Sequence, residues 1–411
     1  MSLSSGTTTV EPGGVGPDRA GPSLQQQAAA QLQRIVQPLT APVLAIVSAL
    51  VIGGLVIIFS DTDALGDWGR FFGAPGAALS ASWDAVFNAY RALFESSLGS
   101  PTAVGRTLVD TTPLALSGLS VALAFRAGLF NIGGAGQIIA GAILAGWVGF
   151  AFDLPIALHL PLALVAGFVG GAVWGSIAGF LKARTGAHEV ILTIMLNFIA
   201  LRLLDYLLRS GTFQRPGRTD PISPPVATSA RLPEVALGDL RFHFGLFIAL
   251  AAAWGAWWLL GRSTIGYRMR AVGANPSAAR YAGMSVGATY VLTMALAGGL
   301  AGLAGTTNLL GRPNFSLSGG FSFNLGFDGI AVALLGRANP VGVVAAAFLF
   351  GVFRAGERGM QAATGTPIEI IIVIQALVIM FVAAPALVRA IYRVREARGA
   401  EQAFAAGWGQ S

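Results

Sequence analysis

The chain has 411 residues, 54% of them apolar and only 11% charged, with a mean hydropathy of +0.68 and a net charge of +7. A soluble domain carries about 25% charged residues, so most of this chain must be buried in something other than itself. The cations fall in loops, as membrane topology requires, which excludes a nucleic-acid reading of the positive charge. The absence of cysteine excludes disulfides, thiolate catalysis and cysteine metal sites.

Residues 1–38 are rich in Gly, Pro, Ser, Thr and Gln and read as a disordered tail without a secretory signal. Within it, Leu24–Val36 has the pattern of a short helix lying on a membrane surface. Apolar runs long enough for about 30 Å of hydrocarbon then recur. We place ten spans, at 39–60, 107–125, 129–150, 157–181, 189–208, 243–260, 287–309, 325–336, 339–356 and 367–390. The expected fold is an all-α polytopic membrane bundle over 39–392, with a cytoplasmic tail at 393–411. The polar stretches 61–106 and 209–242 read as long loops. The eighth span, at 325–336, would rise only about 18 Å as a helix, so it is expected to be broken and to meet the next span at Arg337–Pro340. Ten crossings put both termini on one side. The excess of Lys and Arg on that side places them, and the 262–288 loop, in the cytoplasm.

Phe130-Asn-Ile-Gly-Gly-Ala-Gly136 returns as Phe323-Asn-Leu-Gly-Phe-Asp-Gly329, both of the form FN[I/L]GxxG and both opening an apolar, alanine-rich segment. The two copies enter the membrane from opposite faces. This is the signature of an inverted repeat, spans two to five against seven to ten, a recurring sign of transporters. Polar residues within spans are few: Asn131, Gln137, Glu189, Asn197, Asn324, Asp328 and Gln375. Amides with few charges suit a pathway for an uncharged, hydroxyl-rich solute, and the first six are the candidate pathway residues. The same amides equally suit interhelical hydrogen bonds. Arg202 and Asp205, three apart on one helix face, are expected to neutralise each other. The small-residue runs Gly167–Gly179 and Ala295–Gly305 suit close helix packing.

No GxxxxGK[S/T] phosphate loop occurs, the three histidines make no metal motif, and nothing pairs a nucleophile with a base. An enzyme is therefore not expected. Arg262–Ala288 is the one long polar interruption of the second half with several cations and no acid. Asn275-Pro276-Ser277 marks a turn and the start of a short helix. A positive helix between two spans suits a cytoplasmic docking surface.

FRAGLFNIGGAGQ at 125–137 resembles the signature of permeases of branched-chain amino acid and monosaccharide ABC importers. TGAHEVILTIMLNFIA at 185–200 narrows the resemblance to the first of two permeases in bacterial nucleoside importers. GYRMRAVGANPSAARYAGM at 266–284, GFDGIAVALLG at 326–336 and NPVGVVAAAFLFG at 339–351 agree with it. His188 departs from the asparagine usual in these permeases. The resemblance implies a type II importer fold in the bacterial inner membrane, with a second permease subunit, a cytoplasmic ABC ATPase that holds ATP and magnesium, and an external substrate-binding lipoprotein. No cofactor is then expected on this chain. It also implies that 262–288 seats in an ATPase groove through Gly266, Arg268, Arg270, Gly273, Asn275, Pro276, Ala279 and Arg280. Two rivals stay open: a ribose- or galactose-type sugar permease of the same fold, and an ion-coupled secondary transporter using Glu189, Asp205 and Asp328.

Overall fold

The computed structural model describes residues 43–69, 71–321, 323–383 and Tyr392. The expected tails at 1–38 and 393–411, and the surface helix at Leu24–Val36, lie outside the described residues. The chain is a helical bundle. Its elements run α1 Val43–Ser60, α2 Thr62–Trp68, α3 Pro75–Leu98, α4 Pro101–Arg126, α5 Gly134–Ala151, α6 Ile156–Thr185 and α7 Glu189–Leu207. A 3-10 turn at Thr228–Ala230 and a hairpin of β1 Glu234–Leu237 and β2 Leu240–His243 follow. The chain continues through α8 Gly245–Arg262, α9 Thr264–Ala274, α10 Pro276–Tyr281, α11 Val286–Leu310, α12 Phe323–Leu335, α13 Pro340–Thr364 and α14 Ile368–Ala383. Among the described residues, α1, α4 to α8, α11 and α13 are long and apolar enough to cross a membrane, while α12 and α14 are shorter apolar helices. The chain is a multi-pass membrane protein, and these ten helices take the places of the ten expected spans.

Local chemistry sets the boundaries. The hydroxyls of Ser100, Ser263 and Ser285 and the amide oxygens of Asn275 and Asn339 accept backbone N–H bonds at the starts of α4, α9, α11, α10 and α13. Proline follows the cap in α4, α10 and α13, where its missing donor is no loss. Left-handed Gly186 and Gly365 close α6 and α13. The break expected near Arg337–Pro340 is present: Arg337 and Ala338 both have positive φ, and α12 has only 13 residues.

Three boundaries differ from expectation. The third span, expected from 129, is helical only from Gly134, the residues before it forming a non-helical link. The stretch 61–106 is not a loop but holds α2, α3 and the first turns of α4. Asp84, Asn88, Arg91 and Glu95 recur at helical spacing, so their polarity occupies one stripe of α3 while Leu93 and Ala89 are buried with α1 and α13 in one apolar cluster. The span expected to end at 356 continues to Thr364, so that Glu357 and Arg358 also belong to the helix. The 209–242 stretch is irregular as expected, apart from the 3-10 turn and the hairpin.

Packing follows the repeat. Helix α11 lies on α6 as α4 lies on α13, and α11 meets α5 as α4 meets α12. Exchanging spans two to five for seven to ten (α4–α7 for α11–α14) maps each of these contacts onto its mate. Small residues make the closest approaches. A side chain at Gly171 would strike the carbonyl of Gly298 and the backbone of Gly302, and one at Gly175 the carbonyl of Met294. The runs at 167–179 and 295–305 are thus the two sides of one seam. Without a hydrophobic drive between helices in lipid, such backbone proximity is what holds them.

Candidate translocation site and coupling surface

After α4 ends at Arg126 the chain runs non-helically to Gly134, where α5 begins. Backbone groups released in such a link need partners. Asn131 supplies them. It is fully buried; its Oδ1 accepts from Gly133 N at 3.0 Å, and its amide exchanges two bonds with that of Gln137, at 2.9 and 3.2 Å. Asn197 of α7 completes the clamp, accepting from Gly136 N at 2.7 Å and donating to Ile132 O at 2.9 Å. Glu189 stands at the other end of the link, bonded to Lys182 Nζ at 2.5 Å and to Phe130 N at 3.4 Å. Four of the six expected pathway residues therefore bind this link.

The other two lie on the second copy of the motif. There Phe323 and Asn324 already belong to the helix, whereas Phe130 and Asn131 lie in the link before theirs, and the two copies meet inside the bundle: Gly326 packs against the backbone of Gly134 and Ala135. Asn324 is exposed and lines a cavity of about 390 Å³ over the start of α12. Asn308, Arg312, Asn314, Phe321, Phe323 and Arg354 line the same cavity. Asp328 does not; it holds Arg354 Nη2 at 2.5 Å from below. Arg312 in turn bonds Asp110 of α4, which is buried. Each arginine at the cavity thus has its own carboxylate. Asn131 is absent from the lining.

Arg312 and Arg354 are not among the expected pathway residues. Their only sequence signal is an arginine just past the seventh expected span and another inside the end of the ninth. Beside Arg312 is His243, at the end of β2. Burial, and secondly the Arg312 charge, pushes its imidazole down from 6.5 to about 4, so the ring is neutral and accepts from Gly245 N at 3.1 Å. His159 is buried as well, tying Ser229 to Val148 at 2.8 and 3.0 Å. His188 caps α7, its Nδ1 accepting from Val190 N.

At the opposite end of the bundle, α9 and α10 make an elbow at Asn275, whose side chain accepts from Ala278 N at 2.9 Å. The eight expected coupling residues divide into two groups. Gly266, Gly273 and Ala279 face inward: Gly266 against Leu259, Gly273 against Arg126 and Gly128, and Ala279 among Val272, Val286 and Met284. Arg268, Asn275, Pro276 and Arg280 are exposed and Arg270 is half-buried. Tyr281, almost wholly exposed at the end of α10, adds an aromatic to this surface that its place in the sequence does not single out.

The family described as branched-chain amino acid transport system / permease component matches residues 103–383. The chain belongs to this permease family. The permease is 38% identical over 362 residues to the guanosine ABC transporter permease protein NupP of Bacillus subtilis, covering 88% of this chain and 98% of that one. It is 39% identical to the nucleoside ABC transporter permease protein NupB of Lactococcus lactis, covering 72% and 82%. It is 33% identical to the glucose ABC transporter permease protein TsgB13 of Haloferax volcanii, covering 83% and 86%. A weaker likeness, 27% over 260 residues, links the permease to NupQ, a second guanosine permease of Bacillus subtilis. No solved structure matches the permease. Permeases of this family are transport subunits, not enzymes in themselves, and work within ABC transporters.

Proposed function

We propose that this permease forms the membrane path of an ATP-driven importer for nucleosides. One observation carries the reading: the cavity over the start of α12 is polar and aromatic yet electrically balanced, since Asp110 and Asp328 each neutralise the arginine beside them. Such a chamber suits an uncharged heterocycle bearing a sugar, and excess charge of either sign would favour an ion instead. The likeness to guanosine and nucleoside permeases over most of their length supports it.

The partners on this reading are a second, homologous permease, an external binding lipoprotein and a cytoplasmic ABC ATPase, which alone holds ATP and magnesium. The exposed face of α9 and α10 is the ATPase contact, with Arg268 and Arg280 toward acidic rims and the Asn275–Pro276 elbow fixing the angle. Both termini are cytoplasmic, and the membrane is the bacterial inner membrane. Ion coupling is disfavoured because two of its candidate carboxylates, Glu189 and Asp328, are ion-paired in part-buried positions and the third, Asp205, lies 3.6 Å from Arg202.

The test is uptake of labelled nucleosides by cells that express the complete importer and lack other nucleoside uptake. Nucleosides should enter and compete with one another, glucose should not compete, and an ATPase variant unable to hydrolyse ATP should abolish uptake. Competition by glucose or ribose but not nucleosides would replace the reading with the sugar-permease one. Uptake that survives loss of ATP hydrolysis and collapses with the ion gradient would sink both.

A further inference from the structure

The cavity over α12 is uneven in what it offers a ligand. Arginine has five N–H donors and no acceptor. Arg354 bonds Asp328 through Nη2, and Arg312 bonds Asp110 through the same atom while its buried Nε has no partner. Arg312 lies within electrostatic reach of Arg354, so two guanidinium groups face one small space. Their carboxylate partners, Asp110 and Asp328, do not line the cavity. The wall also carries the half-buried rings of Phe321 and Phe323 and the exposed amide of Asn324. The occupant this wall fits has a flat face, hydroxyls for the amide, and on one edge two neighbouring acceptors. At about 390 Å³ the cavity is within the ordinary range for a site that holds one small molecule.

We propose that this cavity is a base-selective subsite for 6-oxopurine nucleosides, in which the Arg354 guanidinium reads the O6/N7 edge, Phe321 or Phe323 stacks the base and Asn324 bonds the ribose. This rests on the nucleoside reading above and adds to it which base the permease itself prefers and which side chain decides. The chemistry is the fork that lets arginine recognise guanine in nucleic acids: O6 and N7 accept two parallel bonds, whereas adenine presents a donor at N6 in place of one acceptor. Uracil has no such pair of adjacent acceptors. Stacking on an aromatic ring tolerates any base, so selectivity falls to the arginine.

The test is Arg354→Lys in the complete importer, with guanosine and adenosine uptake measured separately and normalised to inserted permease. Lysine keeps the charge opposite Asp328 but loses the planar fork. The guanosine-over-adenosine uptake ratio should fall about tenfold relative to the parent importer. The binding protein's own preference is the same in both strains and cancels in that comparison. Asn324→Ala, at an exposed position, should lower uptake of both nucleosides together and leave the ratio unchanged. An equal loss of guanosine and adenosine uptake in Arg354→Lys would show that the arginine is an ion-pair strut only, and would overturn the inference while nucleoside transport stands. A parent importer that prefers adenosine, combined with an unchanged ratio in the variant, overturns it in the same way. Should the lysine variant fail to insert, the parent's uptake of 7-deazaguanosine, which lacks the N7 acceptor, decides between the two roles of the arginine. Uptake well below that of guanosine at matched occupancy of the binding protein supports the inference, and equal uptake would sink it. A parent that carries no nucleoside at all would take the functional reading down, and this one with it.

Discussion

Asn131 and Asn324 occupy equivalent places in the two motif copies and do different work, because one is sealed in and the other is open. Replacing Asn131 by Leu strands the Gly133 N–H and the Gln137 amide, each a buried polar group costing about 1–3 kcal/mol when unpaired. Asn131→Leu should therefore lower the yield of folded permease, read as the monodisperse fraction after detergent extraction. Asn324→Leu should leave that yield unchanged and reduce uptake per inserted molecule about five- to 150-fold, if the amide bonds substrate. Equal folded yields for the two variants would mean that the clamp does not hold the link. His243 gives the pH dependence. Its folded value of about 4 lies below the ordinary 6.5, so between those values the unfolded chain binds more protons and stability rises with pH. The stabilisation is complete above 6.5 and is lost as pH falls toward 4, on the order of 3 kcal/mol in total. The thermal midpoint of detergent-extracted permease should drop between pH 7 and 4.5, and the drop should be shallower in His243→Gln. Parallel pH curves for the two proteins would mean that His243 is not the group responsible.

Among the elements, the α6–α11 seam and the α9–α10 elbow carry opposite demands. The seam needs backbone contact: at Gly171 a leucine must displace Gly298 and Gly302, and overpacking of this kind typically costs about 1–3 kcal/mol. Gly171→Leu should thus reduce extractable permease, whereas Ile177→Leu, on an exposed face of the same helix, should not. The elbow needs an accessible surface instead. Ala279 is buried in its own chain, so a charge there would disturb α10 itself. Ala278, one residue earlier, is exposed. Ala278→Asp should insert normally and lose substrate-stimulated ATP hydrolysis and uptake together, since a carboxylate would stand between the exposed arginines and an acidic partner. Full ATPase stimulation in that variant would rule out this face as the contact.

At the scale of the whole molecule, the orientation is open to a direct check on a chain without native cysteine. Ser223 is buried against Leu317, so Thr219, exposed in the same loop, is the better reporter. Thr219→Cys should be labelled in intact cells by a membrane-impermeant thiol reagent and Ser277→Cys should not; the reverse pattern would invert the molecule. The bundle, its ten apolar helices, the inverted repeat and the Asn275 elbow are legible in the sequence, because each depends on local properties: hydropathy over a helix length, a motif repeated in order, a cap before a proline. Helix α3 is not, since its charges have the composition of a loop, and only their spacing on one face of a helix packed against α1 and α13 makes them compatible with a buried opposite side. Nor can sequence divide the amides. Asn131, Gln137 and Asn197 come together across α5 and α7, while Asn324 is left facing a cavity, and that sorting depends on which backbone groups the broken link leaves unpaired. The same holds for Arg312 and Arg354. Their partners, Asp110 and Asp328, lie on other helices, and only the tertiary packing brings each charge to its counter-charge and aims the remaining donors into one space.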